Sequence, residues 1–299
     1  MVINAASLIC YHSSAIRCTG LQRAQAERIL FVANEKEKHL SGGKKDEMEQ
    51  IRLNKYLSDN GVCSRREADR LTEKGLITVN GEKAVLGMKI DPGAKVCLRG
   101  KEVKRQEEKV LLAFHKPAGI VCTAEKREKN NVIDFLKYPL RIFPVGRLDK
   151  DSTGLLLMTN DGELVNKIMR AGNYHEKEYI VQVNRPINQE FCRKMASGVP
   201  ILDTVTRPCQ VKKINDTTFQ IVLTQGLNRQ IRRMCETLGY RVVTLKRVRI
   251  MNIRLGNLKE GSYRKVQGRE KEELLNMLTD SSSLSVKERK KRKQQGGNV

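Results

Sequence analysis

No apolar run in this 299-residue chain approaches the roughly 18 residues that a membrane-spanning helix needs, so a soluble protein with no membrane partner is expected. The apolar stretch at residues 5–10 is too short for a signal-peptide core, has no basic lead and no clear cleavage site, and a cytoplasmic location is expected. The eight cysteines (Cys10, Cys18, Cys63, Cys97, Cys122, Cys192, Cys209 and Cys235) never fall as C-x-x-C, and none lies near a histidine with zinc-finger spacing. They read as reduced thiols in a cytosolic protein, with no bound metal. Only four histidines occur, two of them (His12 and His39) in a weakly patterned segment. That excludes the His/Cys/Cys constellation of a zinc deaminase. Acidic residues are also scarce: 34 Asp plus Glu stand against 57 Lys plus Arg, a formal charge of +23. Such a surface attracts polyanions, because phosphate contacts release counterions. Charge alone does not separate a nucleic-acid enzyme from a basic ribosome-associated protein.

Residues 1–47 show no pattern that demands a core. They are expected to be unstructured or to precede the natural start at Met48, since Ser41-Gly42-Gly43-Lys44-Lys45 resembles a translated ribosome-binding site. From residue 51 the signals sharpen. Leu53, Tyr56 and Leu57 recur at helical spacing, and Gly61 can end that helix in the left-handed conformation. Ser64 with Glu67 forms a capping box for a second helix carrying Ala68 and Leu71 inward and ending at Gly75. Short strands follow around a turn at Asn80-Gly81. A small module is thus expected over 48–104, then a charged linker over 101–109. A larger region over 110–278 has strand candidates at 110–114, 154–159, 179–183, 219–224 and 242–245. Its helix candidates are 163–170, 189–196, 229–238 and 270–278. The irregular spacing lacks steady strand–helix alternation, so the fold class is α+β with a mixed sheet. Residues 279–299 are expected to be a disordered basic tail.

On the second helix, Arg66, Arg70 and Lys74 share one face by their i, i+4, i+8 spacing. Arg52, Lys55 and Arg65 are near in sequence. A solvated helix face explains the spacing as well as an RNA grip does. The segments Arg52-Leu53-Asn54-Lys55-Tyr56-Leu57, Cys63-Ser64-Arg65-Arg66-Glu67-Ala68-Asp69 and Val79-Asn80-Gly81 resemble the S4 RNA-binding domain. The resemblance implies contact with structured RNA through Lys55, Arg65, Arg66 and Arg70. It names a partner and no reaction.

The most specific stretch is Gly146-Arg147-Leu148-Asp149-Lys150-Asp151-Ser152-Thr153-Gly154-Leu155-Leu156. A polar turn precedes an apolar strand, which can present a carboxylate into a cleft; turn hydrogen bonding explains the same residues. The stretch resembles the signature of the pseudouridine synthases, in the S4-containing branch that modifies ribosomal RNA. That resemblance implies Asp149 as the catalytic carboxylate. Lys116-Pro117-Ala118-Gly119 resembles the first family motif. Lys177-Glu178-Tyr179 resembles the second, implying that Tyr179 packs on the target base. Gly226-Leu227-Asn228-Arg229-Gln230-Ile231-Arg232-Arg233-Met234 resembles the third, implying that Arg232 pairs with Asp149. Arg147, Arg229 and Arg233 are candidate phosphate contacts. The resemblance spans residues 51–278.

It further implies an isomerase acting on a uridine of 23S ribosomal RNA and leaves room for a tRNA anticodon uridine; a monomer is the default expectation, and the chemistry asks for no cofactor. Nothing is oxidised and no group is imported when uracil is detached from N1 and reattached through C5. The uridine must leave its stack to react, which selects loops over helices. A carboxylate in a cleft needs its charge supported, and a guanidinium can grip it with two hydrogen bonds. The rival reading is a non-catalytic RNA-binding or ribosome-assembly protein. A DNA-binding regulator lacks a helix-turn-helix in the larger region.

Overall fold

The computed structural model describes residues 50–104, 106, 108–125 and 127–281. The expectations for residues 1–47 and for the basic tail from 282 lie outside these. Two units divide the chain. In the smaller, which includes Ile51 and Ile90–Gly93, Gln50 Nε2 donates to Asp91 Oδ1 at 3.2 Å. The rest belongs to the larger unit.

The N-terminal module runs β1 (Ile51–Arg52), α1 (Leu53–Asp59), α2 (Arg65–Glu73), β2 (Ile77–Val79), β3 (Glu82–Lys83), β4 (Lys89–Ile90), β5 (Val96–Leu98) and β6 (Lys101–Glu102). Leu53, Tyr56 and Leu57 are buried, as their spacing predicts. Gly61 (φ +75) and Gly75 (φ +66) lie just past the two helices in the left-handed region, where glycine carries no Cβ penalty. Ser64 Oγ accepts from Glu67 N at 3.1 Å, while the Glu67 carboxylate pairs with Arg70 at 3.1 Å, so only half of the capping box forms. Ala68 and Thr72 are buried, and Leu71 is only half-buried. Asn80 and Gly81, both at positive φ, close the β2–β3 hairpin. Arg99 and Gly100, also both at positive φ, close a second hairpin pairing Cys97 with Glu102 and Leu98 with Lys101. Residues 101–102 are therefore sheet, and the expected linker begins after them.

The larger region contains β7 (Leu111–Lys116), α3 (Val132–Leu136), β8 (Phe143–Pro144), β9 (Thr153–Thr159), α4 (Gly162–Met169), β10 (Lys177–Val183), α5 (Gln189–Ser197), β11 (Pro200–Ile201), β12 (Thr204–Val205), β13 (Gln210–Lys213), β14 (Thr218–Leu223), α6 (Gln230–Thr237), β15 (Val242–Ile250), β16 (Ile253–Arg254), β17 (Tyr263–Lys265) and α7 (Gly268–Met277). A nine-stranded sheet runs β13-β14-β10-β15-β9-β7-β17, with β16 on β15 and β8 on β9. Its described pairings are antiparallel except at β15–β9, where Lys246 faces Thr153 and Arg247 faces Gly154 in parallel. This confirms an α+β architecture.

The pleat explains how β7 and β9 are covered on both faces. Leu111, Ala113, Leu155 and Leu157 pack with Leu164 and Ile168 of α4 and Leu274 of α7. The alternate residues Leu112, Phe114, Leu156 and Met158 pack with Val132 and Leu136 of α3. Beyond the parallel junction, β10, β14 and β15 share a core with Phe191 and Met195 of α5 and Ile231 and Met234 of α6. The junction between these cores places the end of the 146–152 loop beside β10 and β15.

Candidate active site

The loop that carries Asp149 is fixed by backbone contacts. Val145 N donates to Leu157 O at 2.7 Å, Leu148 N to Cys122 Sγ at 3.3 Å, and Ser152 N to Asp149 O at 3.1 Å. Lys116, the last residue of β7, is fully buried. Its ammonium donates to the carbonyls of Pro117 (2.7 Å), Lys150 (3.2 Å) and Ser152 (2.8 Å). Gly119 N donates to Lys150 O at 2.8 Å. The first motif therefore clamps the chain on either side of Asp151. Burial pushes the Lys116 ammonium below its ordinary lysine value, and hydrogen bonds to three carbonyls keep that charge tolerable.

A cavity of about 350 Å³ is lined by Arg147, Asp149, Ser152, Tyr179, Arg229 and Arg232 among others. Asp149 keeps 31% of its side chain exposed, so it is reachable from the cavity. Arg232 Nε lies 3.5 Å from Asp149 Oδ2, and Arg229 Nη1 lies 3.6 Å from the same oxygen. The expected two-bond guanidinium grip is not formed. Arg232 Nη2 instead donates to Ser152 Oγ at 3.3 Å, and the buried Nε has no hydrogen-bond partner. Geometry explains this: Arg232 projects from the first turn of α6, side-on to the Asp149 carboxylate, and Ser152 on the same loop takes the end of the fork. Tyr179 is half-buried on β10, opposite Ile221 of β14 and Arg247 of β15.

The structure thus brings Asp149, Tyr179, Arg232, Arg147 and Arg229 to one cavity. Arg229 precedes α6 in a left-handed conformation, and its exposed guanidinium also reaches Asp149. Arg233 turns to Asn228, donating to its backbone oxygen at 3.2 Å, and does not line the cavity. Lys55, Arg65, Arg66 and Arg70 sit in the N-terminal module. Arg65 and Arg66 are exposed, whereas Lys55 pairs with Asp59 at 2.7 Å and Arg70 with Glu67.

Lys177 and Arg247 line the same cavity and were not singled out from the sequence. Lys177 opens the second motif but reads as an ordinary surface lysine. Arg247 lies beyond residue 245, where the strand was expected to end. Burial first, then the neighbouring Arg247 charge, pushes the Lys177 ammonium down to about 8. Among the described residues, no three His, Cys, Asp or Glu side chains converge as metal ligands would. No described helix is long and apolar enough to cross a membrane.

A mixed sheet with an aspartate loop at its parallel junction, an arginine from α6 and a tyrosine from β10 define a class. Residues 110–237 match the family described as RNA pseudouridylate synthase, and residues 51–96 match the S4 domain. The chain belongs to the RNA pseudouridine synthases and is an isomerase. It is 52% identical over 235 residues to the dual-specificity RNA pseudouridine synthase RluF of Escherichia coli (strain K12), covering 78% of this chain and 81% of that one. It is 36% identical over 224 residues to the ribosomal large subunit pseudouridine synthase B of Bacillus subtilis (strain 168), covering 72% and 91%. A crystal structure of pseudouridylate synthase superposes with a TM-score of 0.56 at 27% identity, over 76% of this chain and 99% of that chain.

Proposed function

We propose that this enzyme isomerises a uridine of 23S ribosomal RNA in the cytoplasm, and a tRNA uridine as a second substrate, with Asp149 as its catalytic carboxylate. The observation that carries the reading is a half-exposed Asp149 whose charge is supported by Arg232 and Arg229 in a cavity with Tyr179 on its wall. The ribosomal substrate is favoured by the large-subunit synthase among its relatives, and the existence of a second RNA substrate, here taken to be tRNA, by the dual-specificity relatives.

In this reading Tyr179 packs on the extruded base and Arg232 orients the carboxylate through Ser152 and Asp149. Arg147 and Arg229, both exposed, take flanking phosphates at the mouth. Arg65 and Arg66 hold RNA directly, while Lys55 and Arg70 exchange their intramolecular carboxylates for phosphate. The division of labour is an S4 module over 48–104 and a catalytic domain over 110–278. The flipped uridine's C1′–N1 bond breaks, the ring turns, and C5 bonds to C1′, with Asp149 facing the reacting atoms throughout.

The test uses purified full-length protein with unmodified 23S ribosomal RNA and, separately, unmodified tRNA. Pseudouridines are mapped by carbodiimide labelling and primer extension. New stops made by the wild type and absent with Asp149→Asn, whose RNA binding survives, are expected. Full activity in Asp149→Asn would remove the assignment of Asp149, and an unmodified 23S RNA would remove the ribosomal substrate.

A further inference from the structure

The cavity wall contains more positive charge than holding Asp149 requires. Lys177 and Arg247 are 6% and 2% exposed, and neither pairs with a carboxylate among the described residues. Lys177 Nζ donates only to His175 O at 3.1 Å, and Arg247 Nε only to Leu155 O at 2.7 Å. Arg247 Nη2 is buried with no partner. Two other cavity residues, Gln225 and Arg232, also hold a buried N–H group without a partner. All three orphans here are donors. Burying two adjacent cations and leaving donors unmade is unfavourable in the empty protein. The arrangement makes sense when an acceptor-rich, electron-rich group occupies the cavity.

Position identifies which group. Lys177 and Tyr179 alternate along β10, and Arg247 is the register partner of Tyr179 on β15. A base packed on Tyr179 therefore lies against Lys177 and Arg247. Phosphates of the same nucleotide stay at the mouth, where the cations are exposed rather than buried. We propose that Lys177 and Arg247 form a cationic floor that hydrogen-bonds the carbonyl edge of the extruded uracil and stabilises the negative charge it acquires when the C1′–N1 bond breaks. This rests on the site assignment above. On heterolysis the bonding pair stays with the ring and is shared by its carbonyl oxygens, which the floor's N–H groups face. The pair then returns to C1′ through C5, the C5 proton departs and N1 gains one, so the atoms balance as an isomerisation. Fixed donors that meet a charge only as it develops accelerate the step without tightening ground-state binding.

The test is single-turnover kinetics with saturating full-length enzyme, read by chromatography of the digested nucleosides. Substrates are an RNA carrying the mapped uridine and the same RNA with 5-fluorouridine there, whose ring bears negative charge more readily; having fluorine in place of the C5 proton, that ring ends as a C5-linked water adduct, so both rates are read by loss of the starting nucleoside. Lys177→Met is expected to slow uridine conversion by about 10²–10³-fold while RNA affinity stays within about twofold. The penalty should shrink by at least about tenfold on the fluorinated RNA, because a stabler ring anion needs less help. The milder Arg247→Lys, which keeps a cation where a larger change in the core could unfold the protein, should slow the same step. A Lys177→Met rate within about twofold of wild type, or an equal penalty on both RNAs, overturns the proposal. Failure of the wild type itself to convert the uridine would instead overturn the choice of substrate, and full activity in a parallel Asp149→Asn control would overturn the site assignment.

Discussion

Gly154→Ala tests whether the parallel junction of the sheet is the weak point on which the site depends. Gly154 has φ +104, and a Cβ there would stand 2.2 Å from the backbone oxygen of Arg247 and 2.7 Å from its nitrogen. A side chain at this φ costs about 1–2 kcal/mol in backbone strain. The clash is with backbone on both counts, so β9 and β15 must separate by about an ångström, loosening junction hydrogen bonds worth about 1 kcal/mol each. The sum is about 3–5 kcal/mol, at the severe end for one substitution and a large share of a domain's stability. Urea unfolding followed by circular dichroism should show a midpoint lowered by about 1–2 M. Gly146→Ala is the control. Its φ is +76, but its Cβ meets only the end of the flexible Met169 side chain, with Cε at 2.5 Å. Strain dominates there, at about 1–2 kcal/mol. A midpoint for Gly154→Ala equal to or above that of Gly146→Ala would refute the reasoning.

Three further outcomes are expected. Lys116→Met removes three charge-assisted hydrogen bonds, each worth about 1.5–3 kcal/mol, offset by release of a buried ammonium, for a net loss of about 1–3 kcal/mol; an unchanged urea midpoint would contradict the clamp. Lys177 has its folded value lowered to about 8 from 10.5. The unfolded chain binds more protons between those values, so stability should rise with pH across that window, by about 3 kcal/mol in all, with the full penalty present below it. Urea unfolding across the window should show a larger rise in wild type than in Lys177→Met, where Lys116, also lowered by burial, still contributes. Arg66→Ala should weaken binding across RNA sequences and reduce the slope of log affinity against log salt by about one; an unchanged slope would show that Arg66 touches no phosphate.

Local signals were legible where chemistry is local. The helices α1 and α2 follow from apolar spacing, Gly61 and Gly75, and β7 and β9 from apolar runs that only a doubly covered strand tolerates. The β5–β6 hairpin escaped notice because Arg99-Gly100 sits among charged residues, although a left-handed residue followed by glycine is a hairpin turn. Two-residue strands such as β11, β12 and β16 exist only through their partners and leave no period to read. At the site, Asp149, Tyr179 and Arg232 were accessible through resemblance, because their convergence from three elements is invisible in spacing. Lys177 and Arg247 were not, since in a chain with 57 Lys plus Arg a basic residue is read as surface until burial shows otherwise.

The excess of basic charge acts differently on the surface and in the cavity. Exposed cations such as Arg65 and Arg66 are screened within about 10 Å at 0.1 M salt, so they can face a polyanion without straining the fold. The cavity lining has Arg147, Lys177, Arg229, Arg232 and Arg247, and Asp149 is the one carboxylate among its residues. Those that are buried repel one another in a poorly screened setting, and Asp149 cannot neutralise them all. The imbalance persists because the missing negative charge arrives with the substrate, first as phosphates at the mouth and then on the ring during bond cleavage. Filling the wall with apolar residues would stabilise the empty protein and remove what distinguishes the transition state from the bound uridine. The same residues that make the free enzyme less stable are therefore the ones that make the cavity selective for a base about to carry charge.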